Sequence, residues 1–413
     1  MYRDANVLLL VYDSVRPDYL GCYNPARRNT PGLDELAVES VVFERTVSTS
    51  AWTLPAVSSI VSGVYSHRLG LYKWDQPWPG DYLALFHYFR NAGYKVGSFV
   101  FEPQFLFSSF PAAGVVDHSR DPNRMFKWIR EAKGEKFFLL VHSHRTHIPW
   151  VPQTSAEAWR KEVRRLQKRL REDGEAGAQE CRRLYEDSIR AMSEEEIPGF
   201  REALAEIGVK DDTIIVFTAD HGESWCERIE NRETITDNFA LHGRFLYDEC
   251  ILTPLMIRVP EATGGGRRIS HQVRSVDIAP TILDLCGLDY EIGSMDGRSL
   301  KRVIERDERG DRPAVSSTTD TLNTQHLTVL AKFSMRKPPW KLIWSMPDKR
   351  WELYNLKEDP SETRDVFQSM SARREVKKMV EALEGEARRI KPFEGGEEEE
   401  EKLREQLRGL GYL

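Results

Sequence analysis

Apolar runs punctuate the chain at intervals that suit strands separated by helices. Residues 6–12 (NVLLLVY) lack any apolar–polar alternation, which predicts a strand buried on both faces. Residues 94–101 (YKVGSFVF), 136–141 (KFFLLV), 213–218 (TIIVFT) and 254–259 (PLMIRV) predict further strands. Between them lie helical stretches. Thr30-Pro31 with Asp34 and Glu35 opens one. The small residues of 55–63 (PAVSSIVSG) suit a tightly packed second, 81–92 stops at Gly93, and 276–287 closes on Gly287. From 155 to 205, Trp159, Val163, Leu166, Leu170, Leu184 and Ile189 recur at helical spacing among Arg, Lys and Glu, predicting solvated helices that cover the sheet.

Beyond about residue 310 the pattern changes. HLTVLAKFSM, WKLIWSM and RWELYNL follow one another with turn residues between, predicting a small antiparallel sheet. From about 370 the chain reads as charged helix, with a solvated Glu run at 397–401. The division expected is a catalytic α/β domain at 1–310 and a smaller subdomain at 311–413.

Composition narrows the function. With 40% hydrophobic and 10% aromatic residues in 413, a sizeable core is available. A net charge of −6, with no basic stripe, argues against a nucleic-acid partner. No apolar run approaches the ~20 residues of a membrane span. Cys22, Cys181, Cys226, Cys250 and Cys286 show no metal-binding spacing. With no export signal evident, they read as reduced thiols, and a cytoplasmic location is expected. Oligomeric state is left open.

Four segments place chemistry at strand ends: Asp13, Thr53, His147, and Asp220-His221. An open α/β sheet gathers such ends into one crevice. Two carboxylates, an imidazole and a hydroxyl meeting there suit a divalent cation beside a nucleophile, and hence hydrolysis of an anionic ester. Taken singly, Asp13 and Thr53 also read as helix N-caps and His221 as a core histidine.

The order of motifs carries more. NVLLLVYDSVRPDYLGCY, TPGLDELAVESVVF, TADHGE, LHGRFLYDECILTPLMI, VDIAPTILDLCGL with MDGRSL, and ELYNLKEDPSET together resemble the sulfatase branch of the alkaline phosphatase superfamily, nearly end to end. The resemblance implies an α/β/α sandwich around a mostly parallel sheet, with a small C-terminal antiparallel-sheet subdomain. It places Asp13, Asp220 and His221 on metal-ligand positions, with Thr53 as a further ligand. His142 and His147 fall on a segment reading His…His-x-Pro-aromatic, His147 being the candidate proton donor to the leaving alcohol. His242 matches a histidine facing the transferring group, and Arg16 and Asp18 match residues supporting Asp13.

Departures from the family pattern matter equally. Sulfatases carry Cys or Ser, oxidised to formylglycine, where Thr53 stands. Pro55 is kept, but Val57 replaces the family's Arg. Threonine cannot form that aldehyde, whereas a cation-bound hydroxyl can attack directly. Arg145 stands where many relatives have Asp, FEPQF replaces the sulfatase Lys/His segment, and an Asn expected near Glu102 is missing. No Asp-x-x-x-His pair for a second ion is evident. These features predict one divalent cation (calcium or manganese foremost, magnesium or zinc next), with Arg145 or Arg244 and His142 binding the anion. They favour a phosphate or phosphonate ester, cleaved through a covalent Thr53 intermediate. A sulfatase using threonine directly, a phosphotransferase and a non-catalytic binding protein are the alternatives. Loops at 72–80, 102–125 and 227–240 are expected to hold the alcohol portion.

Overall fold

The computed structural model describes residues 2–71, 78–100, 115–117, 121–151, 155–225, 227, 241–291, 293–306, 309–319, 330–346 and 349–391. Most of the three loops expected to hold the alcohol, together with Glu102, Cys226 and the Glu run at 397–401, lies outside the described residues.

The central sheet uses β1 (Asn6–Tyr12), β2 (Val41–Val47), β3 (Lys95–Val100), β4 (Val115–Asp117), β5 (Phe137–Ser143), β6 (Thr213–Ala219), β7 (Leu252–Arg258), β8 (Arg268–Ile269) and β9 (Val273–Arg274). Their order is β4-β3-β5-β1-β6-β7-β2-β8, with β9 also on β2. Neighbours pair in parallel except at β7, which is antiparallel to both β6 and β2.

Side-chain alternation along the strands explains the layers. Val7, Leu9 and Val11 of β1, with Phe138 and Leu140 of β5, feed one core. Leu8, Leu10 and Tyr12, with Phe137, Leu139 and Val141, feed the other. Helices close both faces, because a sheet apolar on two sides must be covered twice. On the second face lie α1 (Pro31–Val38), α4 (Pro122–Glu131), α5 (Ala156–Glu172), α6 (Glu175–Ala191) and α7 (Ile197–Glu206). On the first lie α2 (Thr53–Ser62), α3 (Leu85–Asn91), α8 (Ile278–Cys286) and α9 (Arg374–Ala387). This is the expected α/β/α sandwich. Among the described residues, no helix is long and apolar enough to cross a membrane.

A second, antiparallel sheet follows in the order β10 (Ala314–Thr319), β11 (Leu330–Lys337), β12 (Trp340–Ser345) and β13 (Arg350–Asn355). Its buried Phe333, Leu342 and Leu353 belong to the same apolar core as Val57 and Leu9. Ser316 Oγ donates to Ser48 O at 2.6 Å, Ser317 N to Thr49 O at 2.9 Å, and Thr318 Oγ1 to Gly243 O. The small sheet therefore grips the two segments that lead to Thr53 and carry His242. Cys22, Cys181, Cys250 and Cys286 are free thiols.

Candidate active site

Strand register assembles the cluster. Tyr12 of β1 pairs with Ser143 of β5 on one side and with Ala219 of β6 on the other. The next residues, Asp13, His144 and Asp220, therefore leave the sheet side by side. Asp13 N donates to Ser143 O at 2.9 Å. Asp220 Oδ1 accepts from Ser14 N at 3.0 Å and from His221 N at 2.7 Å, and Ser48 Oγ donates to its carbonyl. Asp13 Oδ1 accepts from Ser14 Oγ at 2.6 Å, and Thr146 Oγ1 donates to the Asp13 carbonyl at 2.6 Å. Both carboxylates are fully buried.

Thr53 is the first residue of α2, Trp52 taking the N-cap place. Its Oγ1 donates to Asp13 Oδ2 at 3.3 Å and lies 3.4 Å from His221 Nε2. The helix N-terminus adds a positive dipole end, suited to an anion.

The donor set fits a divalent cation. His221 Nδ1 donates to Gly222 O at 2.8 Å, which leaves the Nε2 lone pair facing Asp13 Oδ1 at 3.7 Å and Asp220 Oδ2 at 3.5 Å. A lone pair aimed at two carboxylates inside a protein needs a positive charge between them, and the carbonyl-fixed tautomer is the one a metal ligand requires. Asp13, Asp220 and His221 lie close enough together to share one ion. Asp13, His142 and His144 form a second such group, with His144 Nε2 3.1 Å from Asp13 Oδ2. His142 Nε2 is 3.3 Å from Asp220 Oδ2.

Gly222 is fixed by close approach. It donates to Cys250 O at 2.8 Å, and a Cβ there would sit 2.1 Å from Glu249 O. Arg16 does not touch Asp13 but clamps Asp18 and Glu227 and donates to Glu223 O at 2.8 Å. Tyr185 OH donates to Ser14 O at 2.7 Å and accepts from Arg16 N at 2.8 Å, holding the turn after β1.

The histidines form a wall beside the cluster. His147, tied at Nδ1 to Ile148 O (2.7 Å), stacks on His144 at 5.0 Å between ring centroids. His242 lies 5.4 Å from His147 and 4.5 Å from His221. Burial lowers both His147 and His242, against the pull of Asp13. His242 Nδ1 is bonded to Glu223 Oε1 at 2.9 Å, and burial pushes Glu223 up to about 8. Asp13, Thr53, His142, His147, Asp220, His221 and His242 are thus gathered as the sequence placed them.

The two candidate arginines stand in different surroundings. Arg145 pairs with Glu195 at 2.6 Å and Glu196 at 3.5 Å, on the wide π turn 192–196 between α6 and α7. Its guanidinium is held by these two carboxylates. Arg244 lies over the Phe245 ring at 5.8 Å, and its carbonyl accepts from Lys332 Nζ at 3.2 Å. Sequence reasoning missed His144 and Glu223. The alternation His142-Ser143-His144 at a strand end signals the first, since residues two apart share a face. The E of DHGE signals the second.

A family model for sulfatases matches residues 5–288. The chain belongs to the sulfatase family. A second model, for the C-terminal part of N-sulphoglucosamine sulphohydrolase, matches residues 239–389. Among relatives, an N-acetylglucosamine-6-O-sulfatase of Bacteroides thetaiotaomicron is 30% identical over 54% of this chain and 38% of its own length. An ulvan-active sulfatase of Formosa agariphila is 24% identical over 75% of this chain and 67% of its own. This sulfatase-family chain therefore spans well under half of the first relative. A solved structure in complex with its substrate D-glucosamine-2-N,6-O-disulfate superposes with TM-score 0.72 at 19% identity, covering 94% of this chain and 98% of that one. Phosphonate monoester hydrolase of Agrobacterium radiobacter gives TM-score 0.70, also at 19%, covering 94% and 96%. At such identities the two structures establish the fold alone. Both curated relatives are named as sulfatases, whereas Thr53 suggested a phosphorus ester.

Proposed function

We propose that this protein hydrolyses the sulfuric ester of a sugar or related alcohol, with Thr53 as the nucleophile. The observation that carries the reading is the Thr53 hydroxyl at 3.3 Å from Asp13 Oδ2 and 3.4 Å from His221 Nε2, inside a buried cluster of two carboxylates. The sugar follows from what the relatives are named for: N-acetylglucosamine 6-O-sulfate in one, ulvan in another.

Asp13, Asp220, His221 and Thr53 would hold the cation, with calcium, manganese and magnesium as the candidates. When bound, such an ion stabilises the threonine alkoxide and offsets the charge of the ester. Thr53 Oγ1 then bonds to sulfur as the bond from sulfur to the alcohol oxygen breaks. His147, whose Nδ1–H is held by Ile148 O, takes at its free Nε2 the proton that Thr53 gives up and hands it on to the departing alcohol. Water next attacks sulfur, releasing sulfate and restoring the hydroxyl. The buried histidine wall keeps bulk water away during the first step.

Purified protein with calcium, manganese or magnesium is to be assayed on 4-nitrophenyl sulfate, phosphate and phosphonate esters, and on sulfated glucosamines. Sulfate release is expected, and Thr53→Ala is expected to lose about 10³-fold or more in kcat. Turnover of phosphorus esters alone would return the reading to the phosphoesterase. An active Thr53→Ala variant would end the nucleophile assignment.

A further inference from the structure

We propose that Glu223 is a positioning residue: it fixes the His242 ring so that Nδ1 is spent on Glu223 and Nε2 is presented to the group being transferred. This rests on reading the cluster as a sulfuric-ester site. Glu223 has no solvent exposure. Its backbone is pinned, N donating to Glu249 O at 3.0 Å and its carbonyl accepting from Arg16 at 2.8 Å. One side-chain oxygen, Oε1, meets His242 Nδ1 at 2.9 Å, while Oε2 has no hydrogen-bond partner among the described residues.

A carboxyl buried with half its bonding capacity unmet costs stability, and an apolar side chain of similar shape would cost less. What the carboxyl uniquely supplies is an acceptor on one edge of an imidazole. His242 needs that anchor, because it sits in the irregular segment before β7 and no regular element orients it. Its ring lies 4.5 Å from His221 and 5.4 Å from His147, so the nitrogen turned from Glu223 belongs to the reacting cluster. Choosing the tautomer of one imidazole nitrogen determines what the other offers.

Two variants of full-length protein separate this role from simple filling of space. Glu223→Gln keeps an oxygen acceptor, whereas Glu223→Met keeps the volume and removes it. Two-bond ¹H–¹⁵N correlation of the histidines should show His242 protonated at Nδ1 in wild type and Glu223→Gln, and switched to Nε2 in Glu223→Met. In steady state, Glu223→Met should lose about 10²-fold in kcat with KM and metal content unchanged, and Glu223→Gln should stay within a few-fold of wild type. If Glu223→Met does not fold, Glu223→Asp, whose carboxylate stops one methylene short, takes its place with the same expected losses. An unchanged His242 tautomer, or equal kcat in the two variants, overturns the proposal. The tautomer measurement needs no substrate, so it stands apart from failure of the sulfuric-ester reading.

Discussion

At the scale of single residues, the site is a set of commitments made by hydrogen bonds. His221 and His147 each spend Nδ1 on a backbone carbonyl, at 2.8 and 2.7 Å, and so present Nε2. For His147 this predicts a dependence on the leaving group. His147→Gln should cost about 10²-fold in kcat on a sugar sulfate, whose alcohol needs a proton to depart. It should cost far less on 4-nitrophenyl sulfate, whose phenol does not. Equal losses on both would move His147 from proton donor to substrate anchor. Much of this layer was legible beforehand, because Asp13, Asp220 and His221 stand in short motifs at strand ends. His144 and Glu223 were not. Each belongs to the cluster through a contact across strands or to a distant segment, His144 on Asp13 and Glu223 on His242, and the local signals, the His-Ser-His alternation and the Glu of DHGE, do not show what either residue meets.

Elements place these residues, and the helical layer gives Arg145 its partners. The turn 192–196 is a single wide turn in an otherwise continuous rod from α6 into α7. It turns Glu195 and Glu196 towards Arg145, while Tyr12 OH donates to Glu196 at 2.7 Å. Arg145→Met should therefore act on stability, by about 1–3 kcal/mol, through a buried carboxylate that loses a partner. Thermal unfolding with parallel KM measurements checks this; a tenfold rise in KM at unchanged Tm would restore the anion clamp. Buried parallel strands were readable because they are uninterrupted apolar runs. Strand β2 was not, since Glu44 and Arg45 interrupt VVFERTV. The structure shows why they are tolerated: the pairing with β7 shifts register between Phe43 and Thr46, Glu44 pairs with Arg268 at 2.8 Å, and Arg45 donates to Ser270 O.

For the molecule as a whole, the small C-terminal sheet is part of the site's foundation. Asp248, just before β7, meets Arg336 of β11 at 2.9 Å and Lys341 of β12 at 2.8 Å, and Lys341 also meets Glu362 at 2.7 Å. Burial lifts Glu362 to about 7, against the pull of Lys341. A carboxyl raised on folding contributes stability in full below its unfolded value of about 4.3, and loses it as pH rises through the folded value. The Tm of wild type should therefore fall relative to Glu362→Gln as pH climbs from about 4.3 to about 7, and run parallel to it above. A constant difference across that window would remove Glu362 from the account.

The threonine hydroxyl at the head of α2 has a practical corollary. Relatives of formylglycine type depend on a second enzyme to finish their nucleophile, so their output in a foreign host tracks that helper. With Thr53 as the proposed nucleophile, the reactive atom is complete when translation ends. Specific activity should then depend on folding and ion supply alone, and be the same from a host lacking the maturation enzyme as from one that has it.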